Sequence, residues 1–567
     1  MDIRRSIIFI GLAIVSYLMI LEWNKDYGYK PSSTITQTVS SESNSFNLAE
    51  NTLSSDNAEF TTPEQQSDGN HDVVTKSIEA NAPLRVITIN TDTMIVTIDL
   101  SGGNIVQTLL PNYRAEISSP APLALLESNS RRYYTIKSGL FGRDGFDSSK
   151  NGPSPIYQAS QTDYKLAEGQ SELLVDLNYT DTAGVKVTKR YTFKRESYEV
   201  KVDYLIDNQS DKEWLGNFSG KIERDQSADP SQQSSMGMKA FLGMALSSPK
   251  EPYETFKFDA LKETPVNQKI QGGWIAFIQH YFISAWIPAS DQEHTYQTRV
   301  TTDANGRTRH LMGFISPAVA IPAGQQKTIS AKLYIGPKII DHLEVAAPKL
   351  ELTVDYGWLF FIAKPLFLLL DFLHGLVNNW GVAIILVTVI VKALFFHLSA
   401  TSYRSMANMR RVTPQLTRIR EQYGDDRQRM SQAMMDLYKK EKINPLGGCL
   451  PVLVQMPVFI SLYWVLMESV QLRQSPFFFW INDLSAQDPY FLLPILMGIS
   501  MFIQMSLNPA PPDPTQARVM KLMPVIFTVF FLWFPSGLVL YWLVNNVLSI
   551  AQQYVITRQI EASAGKS

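Results

Sequence analysis

The sequence predicts a multi-spanning α-helical membrane protein of six spans, five of them forming a core, with an all-β sandwich domain near its N-terminus. The stretches 6–21, 382–391 and 522–544 contain no charged residue, and soluble domains do not produce several such runs. A long region between them alternates apolar and polar residues, which is typical of half-buried strands. The 567 residues also exceed what one core usually organises, so at least two units are expected.

The β domain is predicted at 83–345. The alternation is clearest in two segments, Met94, Val96, Ile98 and Leu100 in the first, and Tyr198, Val200, Val202, Tyr204 and Ile206 in the second. Clusters of Gly, Asn, Asp and Pro separate many such segments. This pattern predicts an antiparallel sandwich with one wet face per sheet.

The N-terminal segment 1–24 is predicted to be an uncleaved membrane anchor. Arg4 and Arg5 precede its apolar run, and Glu22 stands where a cleavage site would need small residues. Basic residues stay cytoplasmic, so the chain after about Lys25 is expected outside. The following stretch 25–82 is rich in Ser, Thr, Asn and Gln, which predicts a disordered periplasmic tether.

The C-terminal part is hydrophobic and contains six candidate helices, at 358–377, 380–399, 449–470, 489–507, 519–535 and 537–557. The loop 400–447 is strongly basic and is therefore expected in the cytoplasm. An odd number of spans must then separate it from the exported domain. Lys364, Pro365 and Asp371 interrupt the first candidate, which predicts an interfacial amphipathic helix in a linker at 346–379. The remaining candidates form a membrane core at 380–558, with a short cytoplasmic tail at 559–567 and both termini inside.

The basic loop has an internal helical period. Apolar residues recur from Met406 to Tyr423, the pattern breaks at Gly424, and it resumes from Met430 to Leu437. We therefore expect an antiparallel helical hairpin at the membrane surface. The alternative is a solvated loop that only sets topology.

Lys392 is the most informative single residue, because a central lysine in a span costs about 2.5–3.5 kcal/mol on insertion scales. It should face a hydrated cavity or a partner. Thr388 lies one turn before it and Ser399 seven residues after it, so the three are expected to form one polar stripe. The alternative is that Lys392 snorkels to the cytoplasmic headgroups.

Other polar residues of the membrane region are Gln455, between two prolines, and Asn545, Asn546 and Ser549 on the last span, and each needs hydrogen-bond partners inside the helix bundle. The alternative to a functional role is that these side chains only hold neighbouring helices together by hydrogen bonds. Met497 and Met501 begin a stripe of flexible side chains that could adapt to varied apolar partners, and ordinary packing is the alternative there.

No enzyme signature is present in the sequence. None of the seven histidines lies at metal-binding spacing from another His or from Cys449, and no phosphate-binding loop or nucleophile elbow occurs. No cofactor is expected. The formal net charge of −2 gives no basic bias towards nucleic acid, so no recognition of nucleic-acid sequence is expected.

Several motifs resemble a known family. They are Leu-Thr-Val-Asp-Tyr-Gly-Trp at 352–358, Asn-Pro-Leu-Gly-Gly-Cys at 444–449, Gln-Met-Pro at 455–457, Leu-Ser-Ala-Gln-Asp-Pro at 484–489 and Phe-Pro-Ser-Gly-Leu at 534–538. Together they resemble the YidC membrane protein insertases of Gram-negative bacteria. The likeness runs from Met1 to about Arg558, and Gly-Gly-Trp at 272–274 extends it into the β domain.

The resemblance implies an insertase and chaperone of the bacterial inner membrane, with a hydrophilic groove that is open to cytoplasm and lipid. The groove residues expected from it are Lys392, Thr388, Gln455, Phe459, Met497, Met501, Tyr541, Trp542 and Asn545. The family usually has arginine where this chain has Lys392, so positive charge is kept but bidentate hydrogen bonding is lost. The implied partners are nascent membrane proteins, the Sec translocon with its accessory subunits, membrane lipids, and translating ribosomes through the cytoplasmic loops.

Two other functions are compatible with parts of the sequence. A small-solute or anion transporter would use Lys392 to bind an anion, but such proteins are built from two related halves, and no such repeat is found. A carbohydrate-binding exported domain that is merely anchored would need carboxylates clustered with aromatics on β loops, which sequence alone does not assemble.

Overall fold

The structure is a computed structural model, and it describes residues 86–148, 153–231, 240–303, 306–424, 426–441, 450–507 and 514–564. The predicted anchor at 1–24, the tether at 25–82 and Cys449 lie outside these ranges. Twenty strands form two sheets, and ten α-helices follow or accompany them within the described residues.

The larger sheet has eleven strands. Its order is β14 (Asn267–Gln271), β17 (Glu293–Thr302), β18 (Thr308–Ile315), β11 (Trp214–Asp225), β5 (Tyr133–Phe141), β4 (Pro122–Ser128), β3 (Asn104–Arg114), β2 (Ile95–Asp99), β1 (Val86–Asn90) and β7 (Asp163–Lys165), with β19 (Val319–Ile321) paired to β11. All pairs are antiparallel except β1 with β7.

The second sheet has nine strands. Its order is β13 (Glu254–Phe256), β12 (Gly243–Ser247), β15 (Trp274–Ile278), β16 (Phe282–Pro288), β20 (Gln326–Pro337), β10 (Glu199–Asn208), β9 (Val185–Lys194), β8 (Glu172–Thr180) and β6 (Gln158–Ala159). Trp286 of this sheet packs edge-on against Phe218 and Phe314 of the larger one. The core therefore lies between the two sheets, and the predicted β-sandwich is confirmed.

The expectation of one wet face per sheet is wrong for the central strands. Every residue of β15 and β16 is buried. On the inner side Trp286 meets the larger sheet, while the indole N–H of Trp274 donates to the carbonyl of Pro348, 3.1 Å away, in the segment after the domain. A strand covered on both faces has no alternation for a period-two pattern to detect.

Charged side chains inside the β domain are paired or hydrogen-bonded. Glu223 lies 2.6 Å from the Lys137 amine and 3.1 Å from the Arg309 guanidinium. Burial opposes ionisation of this carboxyl group, but the two cations outweigh it and hold the pKa of Glu223 below its ordinary value. The Lys189 amine donates to the carbonyls of Gly102 and Ser138, and burial lowers the pKa of Lys189 to about 7.

The helices are α1 (Phe258–Glu263), α2 (Ile340–Ala346), α3 (Phe360–Val377), α4 (Trp380–Leu394), α5 (Phe396–Tyr423), α6 (Arg427–Lys440), α7 (Leu450–Glu468), α8 (Leu492–Ser506), α9 (Pro514–Phe531) and α10 (Ser536–Ala564). The Asn379 side chain caps α4 by accepting from the Val382 N–H, 3.0 Å away. Helices α3 and α4 are therefore separate elements that pack side by side.

The second candidate helix does not run straight to residue 399. Helix α4 ends at Leu394, and the chain bends by 67° before α5 continues through Ser399. Ser399 therefore lies beyond the bend and does not share one straight stripe with Thr388 and Lys392. Nothing in the apolar pattern of 380–399 marks this bend, because the residues on both sides of Phe395 are equally hydrophobic.

The six-span count stays a prediction. Among the described residues, the helix at Gly357–Val377 is the one that is long and apolar enough to cross a membrane on its own, and the bent pair α4–α5 passes the same test as a unit. The first of these is the segment that the sequence assigns to the membrane surface. Its outward residues are themselves apolar, including Phe361, Leu368 and Phe372, so lipid contact suits this helix in either position.

Helices α5 and α6 pack against each other through Val412, Leu416 and Leu437, with α5 ending at Tyr423 and α6 beginning at Arg427. The position of this helical hairpin at the cytoplasmic membrane surface stays a prediction. Asp426 caps α6 by accepting from the N–H groups of Gln428 and Arg429.

Candidate functional site

Lys392 lies at the seam between α4 and α10. Its amine donates to the Ser549 hydroxyl at 2.7 Å and to the Asn545 side-chain oxygen at 3.2 Å. Both partners are neutral and stand one turn apart on α10. Only 9% of Lys392 is exposed, and among the described residues no carboxylate pairs with it. The cation is therefore hydrogen-bonded but not neutralised.

Other buried polar side chains extend this site across the helices. The Asn546 amide donates to the Ser500 hydroxyl of α8 at 3.0 Å, and the Gln553 amide donates to the Leu507 carbonyl at 3.2 Å. The Thr388 hydroxyl bonds within its own helix, to the carbonyl of Ile384. We call Thr388, Lys392, Ser500, Asn545, Asn546, Ser549 and Gln553 the polar layer. Its members join α4, α8 and α10 through hydrogen bonds.

The bend after α4 brings a second polar pair together. The Gln455 amide of α7 approaches the Ser399 hydroxyl of α5 at 3.5 Å. Gln455 is partly buried, and Pro457 within the same helix lacks the N–H that would bond one turn back. This pair links α7 to the helix that begins the hairpin.

An aromatic wall stands on α7 and α10. The Phe459 ring stacks on Tyr541 with centroids 5.9 Å apart and meets Trp542 edge-on at 4.5 Å. Phe531 of α9 also packs against Trp542, with ring centroids 5.2 Å apart. The Trp542 indole N–H is buried and has no acceptor among the described residues. A polar group that entered here would find a donor.

A crevice of about 330 Å³ opens beside Lys392, between α4 and α10. Its walls include Val389, Phe396, Leu548 and Val555, so it is almost wholly apolar. Lys392 is one of its lining residues, and the Lys392 amine bonds to Asn545 and Ser549. The crevice therefore adjoins the polar layer at Lys392.

The structure brings several predicted site residues together and separates others. Lys392, Thr388 and Asn545 meet in the polar layer, and Phe459, Tyr541 and Trp542 form the aromatic wall. Gln455 instead contacts Ser399, beyond the bend. Met497 is fully buried and Met501 nearly so, which places both in helix packing in this structure. Their proposed contact with a substrate requires α8 to move.

The structure adds two residues to the predicted site. Ser549, one of the polar residues of the last span that the sequence marks as needing a partner, makes the shorter bond to Lys392, and its spacing of four from Asn545 places both on one face of the helix. Ser500 on α8 has no such companion in the sequence. Its role depends on which helix faces Asn546, and only the packing determines that.

Comparison with known proteins gives two family matches that together cover nearly all of the described chain. Residues 86–369 match the family described as the YidC periplasmic domain, and residues 372–563 match the 60Kd inner membrane protein family. The border between them falls inside α3, the helix that joins the β domain to the membrane core.

Two curated relatives cover the full length. The membrane protein insertase YidC of Marinobacter nauticus is 58% identical over 100% of both chains, and that of Hahella chejuensis is 56% identical over 99% of this chain and 98% of its own. A crystal structure of an active YidC insertase covers 83% of this chain and 93% of its own, at 19% identity and a TM-score of 0.36. The chain belongs to the YidC family of membrane protein insertases.

Proposed function

We propose that this protein integrates membrane proteins into the bacterial inner membrane and helps them fold, using the polar layer around Lys392 as the entry site. The observation that carries the proposal is a buried lysine with only neutral partners. An uncompensated cation within a helical membrane core is costly, and such groups mark pathways for polar or charged cargo.

The polar layer lowers the cost of moving a hydrophilic segment across the membrane. Hydroxyl and amide groups replace part of the water that the segment loses, and Lys392 adds attraction for carboxylates. Lysine acts here as a point charge, so the attraction does not require one fixed geometry. No covalent chemistry is needed, and the whole effect comes from solvation and charge.

The proposed topology has six spans, with the β domain in the periplasm and both termini in the cytoplasm. The basic hairpin supports this orientation, since its exposed residues include Arg404, Arg418, Lys439 and Lys440. In this proposal the hairpin also contacts the translating ribosome. The Sec translocon and its accessory subunits are proposed partners for larger substrates, and small substrates are inserted without them.

Cysteine labelling tests the topology directly. In a Cys449→Ser background, Arg418→Cys on the hairpin should react only after the inner membrane is permeabilised, whereas Glu172→Cys in the β domain should react in intact spheroplasts. Labelling of the hairpin variant from outside in sealed cells would overturn the six-span proposal.

Depletion followed by proteomics of the inner membrane tests the function. Small membrane proteins should decline selectively after the insertase is removed, and their levels should return when it is expressed again. Loss of the uptake of one solute, with the membrane proteome unchanged, would instead support a transporter and would contradict the proposal.

A further inference from the structure

A buried ion pair joins the base of the β domain to the end of a membrane-core helix. Lys338 follows β20, and Glu468 is the last residue of α7. Their charged atoms lie 2.8 Å apart, and only 3% and 7% of the two side chains are exposed. The Lys338 amine also donates to the Thr353 carbonyl at 3.2 Å. The two groups are 130 residues apart in the sequence, so the pair is a tertiary contact between the two regions.

A second hydrogen bond between the β domain and α7 lies beside the ion pair and involves Met467, the residue before Glu468. The His280 ring donates from Nε2 to the Met467 carbonyl at 2.8 Å, and its backbone N–H donates to Asp229 at 2.9 Å. The backbone N–H of Lys338 donates to the Tyr281 carbonyl. Burial lowers the pKa of His280, which favours the neutral ring. We call Lys338, His280, Met467 and Glu468 the joint.

A third contact extends the attachment along the chain after α7. The Arg473 guanidinium donates to the carbonyls of Arg114 and Ala115, at 2.9 and 3.2 Å, and the Gln474 amide donates to Arg114 as well. These acceptors are backbone atoms at the end of β3 and just after it. The attachment therefore has two parts. The joint contains a buried ion pair, and Arg473, which is partly buried, binds backbone carbonyls.

A buried ion pair responds differently to the loss of one partner and to the loss of both. Removing one partner of a buried ion pair leaves the other charge desolvated and unpaired, whereas replacing both by apolar side chains is often neutral. Glu468 therefore stays buried only while Lys338 is in place. Its position fixes the outer end of α7, the helix that carries Gln455 and Phe459.

We propose that Lys338 and Glu468 are positioning residues for insertion, because the joint sets the placement of α7 against α5 and α10. Gln455 lies 13 residues from Glu468, which corresponds to about 20 Å of helix. Helix α7 is continuous from Leu450 to Glu468, with Pro457 inside it. A shift at Glu468 therefore moves Phe459 relative to Tyr541, and it also moves Gln455 relative to Ser399. The expected effect on insertion rests on the proposed function, whereas the effect of the joint on the position of α7 does not.

The test is a double-mutant cycle in the full-length protein, with Lys338→Met, Glu468→Met and the double variant. The matched control is Lys364→Met, because Lys364 also pairs with a glutamate, Glu344, at 2.8 Å, but both side chains are more than 40% exposed. A reporter chain carries Ser399→Cys and Gln455→Cys with Cys449→Ser. The rate at which a short bifunctional thiol reagent links the two cysteines in membranes reports the position of α7. Insertion is measured separately, in chains that keep Ser399 and Gln455.

Each single variant should lower both the cross-linking rate and the insertion rate per molecule by about threefold or more, and the double variant should recover about half of that loss or more. The control should change neither rate. Unchanged cross-linking in the single variants, at any protein level, would overturn the positioning role. Slower cross-linking with unchanged insertion would uphold the effect of the joint on the position of α7 but would overturn its role in insertion. That outcome leaves the proposed function of the polar layer untouched, because the Lys392 variants test it separately.

Discussion

The β domain and the membrane core both bury charged side chains, but they treat them differently. In one cluster of the β domain Glu223 is held between Lys137 and Arg309, and Arg309 also reaches Asp303, so each charge of the cluster has an opposite neighbour. The buried Lys189 donates to two carbonyls, but the negative charge of Asp147 acts on it as well. In the membrane core Lys392 has two neutral partners among the described residues. The ion pairs of Glu223 in the β domain connect neighbouring strands. Lys392 has no negative charge beside it among the described residues, so its positive charge is not neutralised.

We propose that this difference distinguishes charges that stabilise the fold from a charge that acts on substrates. A paired buried charge offers little to a ligand, because an incoming ion must compete with a partner already in place. A buried cation with dipolar partners retains most of its attraction for a carboxylate, and the low dielectric strengthens that attraction. By this criterion we propose that the insertion function lies with the polar layer and that the charge clusters of the β domain stabilise its own fold.

The largest expected effect comes from deleting one region or the other. Deletion of 358–377 should abolish growth, because α3 buries Ala363 and Leu370 against the core and its loss uncovers α4 and α7. Deletion of 85–320 should be tolerated for growth, since it keeps Lys338 as the partner of Glu468. It also removes His280 from the joint, so a slower but not abolished insertion is expected. The measurement is complementation of a depletion strain at matched protein levels.

Growth of the first deletion variant would contradict the account of α3. Loss of growth in the second, with the truncated protein stably present, would show that the β domain takes part in insertion itself. That result would contradict the assignment of insertion to the membrane core alone, on which the comparison between the two regions depends.

A smaller effect is expected from breaking the charge cluster of the β domain. Glu223→Ala leaves Arg309 buried with one partner fewer and should lower the unfolding free energy of the domain by about 3–5 kcal/mol. Insertion per folded molecule should not change. Protease sensitivity in isolated membranes reports the first quantity, and an insertion assay reports the second. The control is Lys332→Met. Lys332 pairs with Glu199 but is itself well exposed, so its loss should change the unfolding free energy by less than about 1 kcal/mol.

The sequence predicted most of this architecture because its patterns are local. Alternation at Tyr198, Val200 and Val202 found a strand, and the break at Gly424 found the hairpin turn, since both signals depend on neighbours in the chain. The bend at Phe395 was missed because no proline or glycine marks it. The doubly covered strands β15 and β16 were missed because burial on the second face depends on residues far away in the sequence.

The candidate site was predictable in part for the same reason. The position of Lys392 within an apolar run, and its spacing from Thr388, can be read from neighbouring residues in the chain. The bond of Lys392 to Ser549 and the pairing of Lys338 with Glu468 join residues that are far apart in the sequence. In both cases the sequence offers a charged residue at an unusual place, and only the fold supplies the partner.

The central claim is that the charge of Lys392 draws acidic segments into the polar layer, and one insertion assay tests it most directly. Lys392→Arg, Lys392→Ala and Lys392→Glu are compared at matched protein levels, with one substrate carrying either an acidic translocated tail or its neutralised counterpart. Arginine should preserve insertion, alanine should slow the acidic substrate, and glutamate should slow it most through like-charge repulsion. The neutral substrate should suffer less in every case. Equal rates for the two tails in all three variants would contradict the electrostatic role and would favour a lysine that only snorkels to the headgroups.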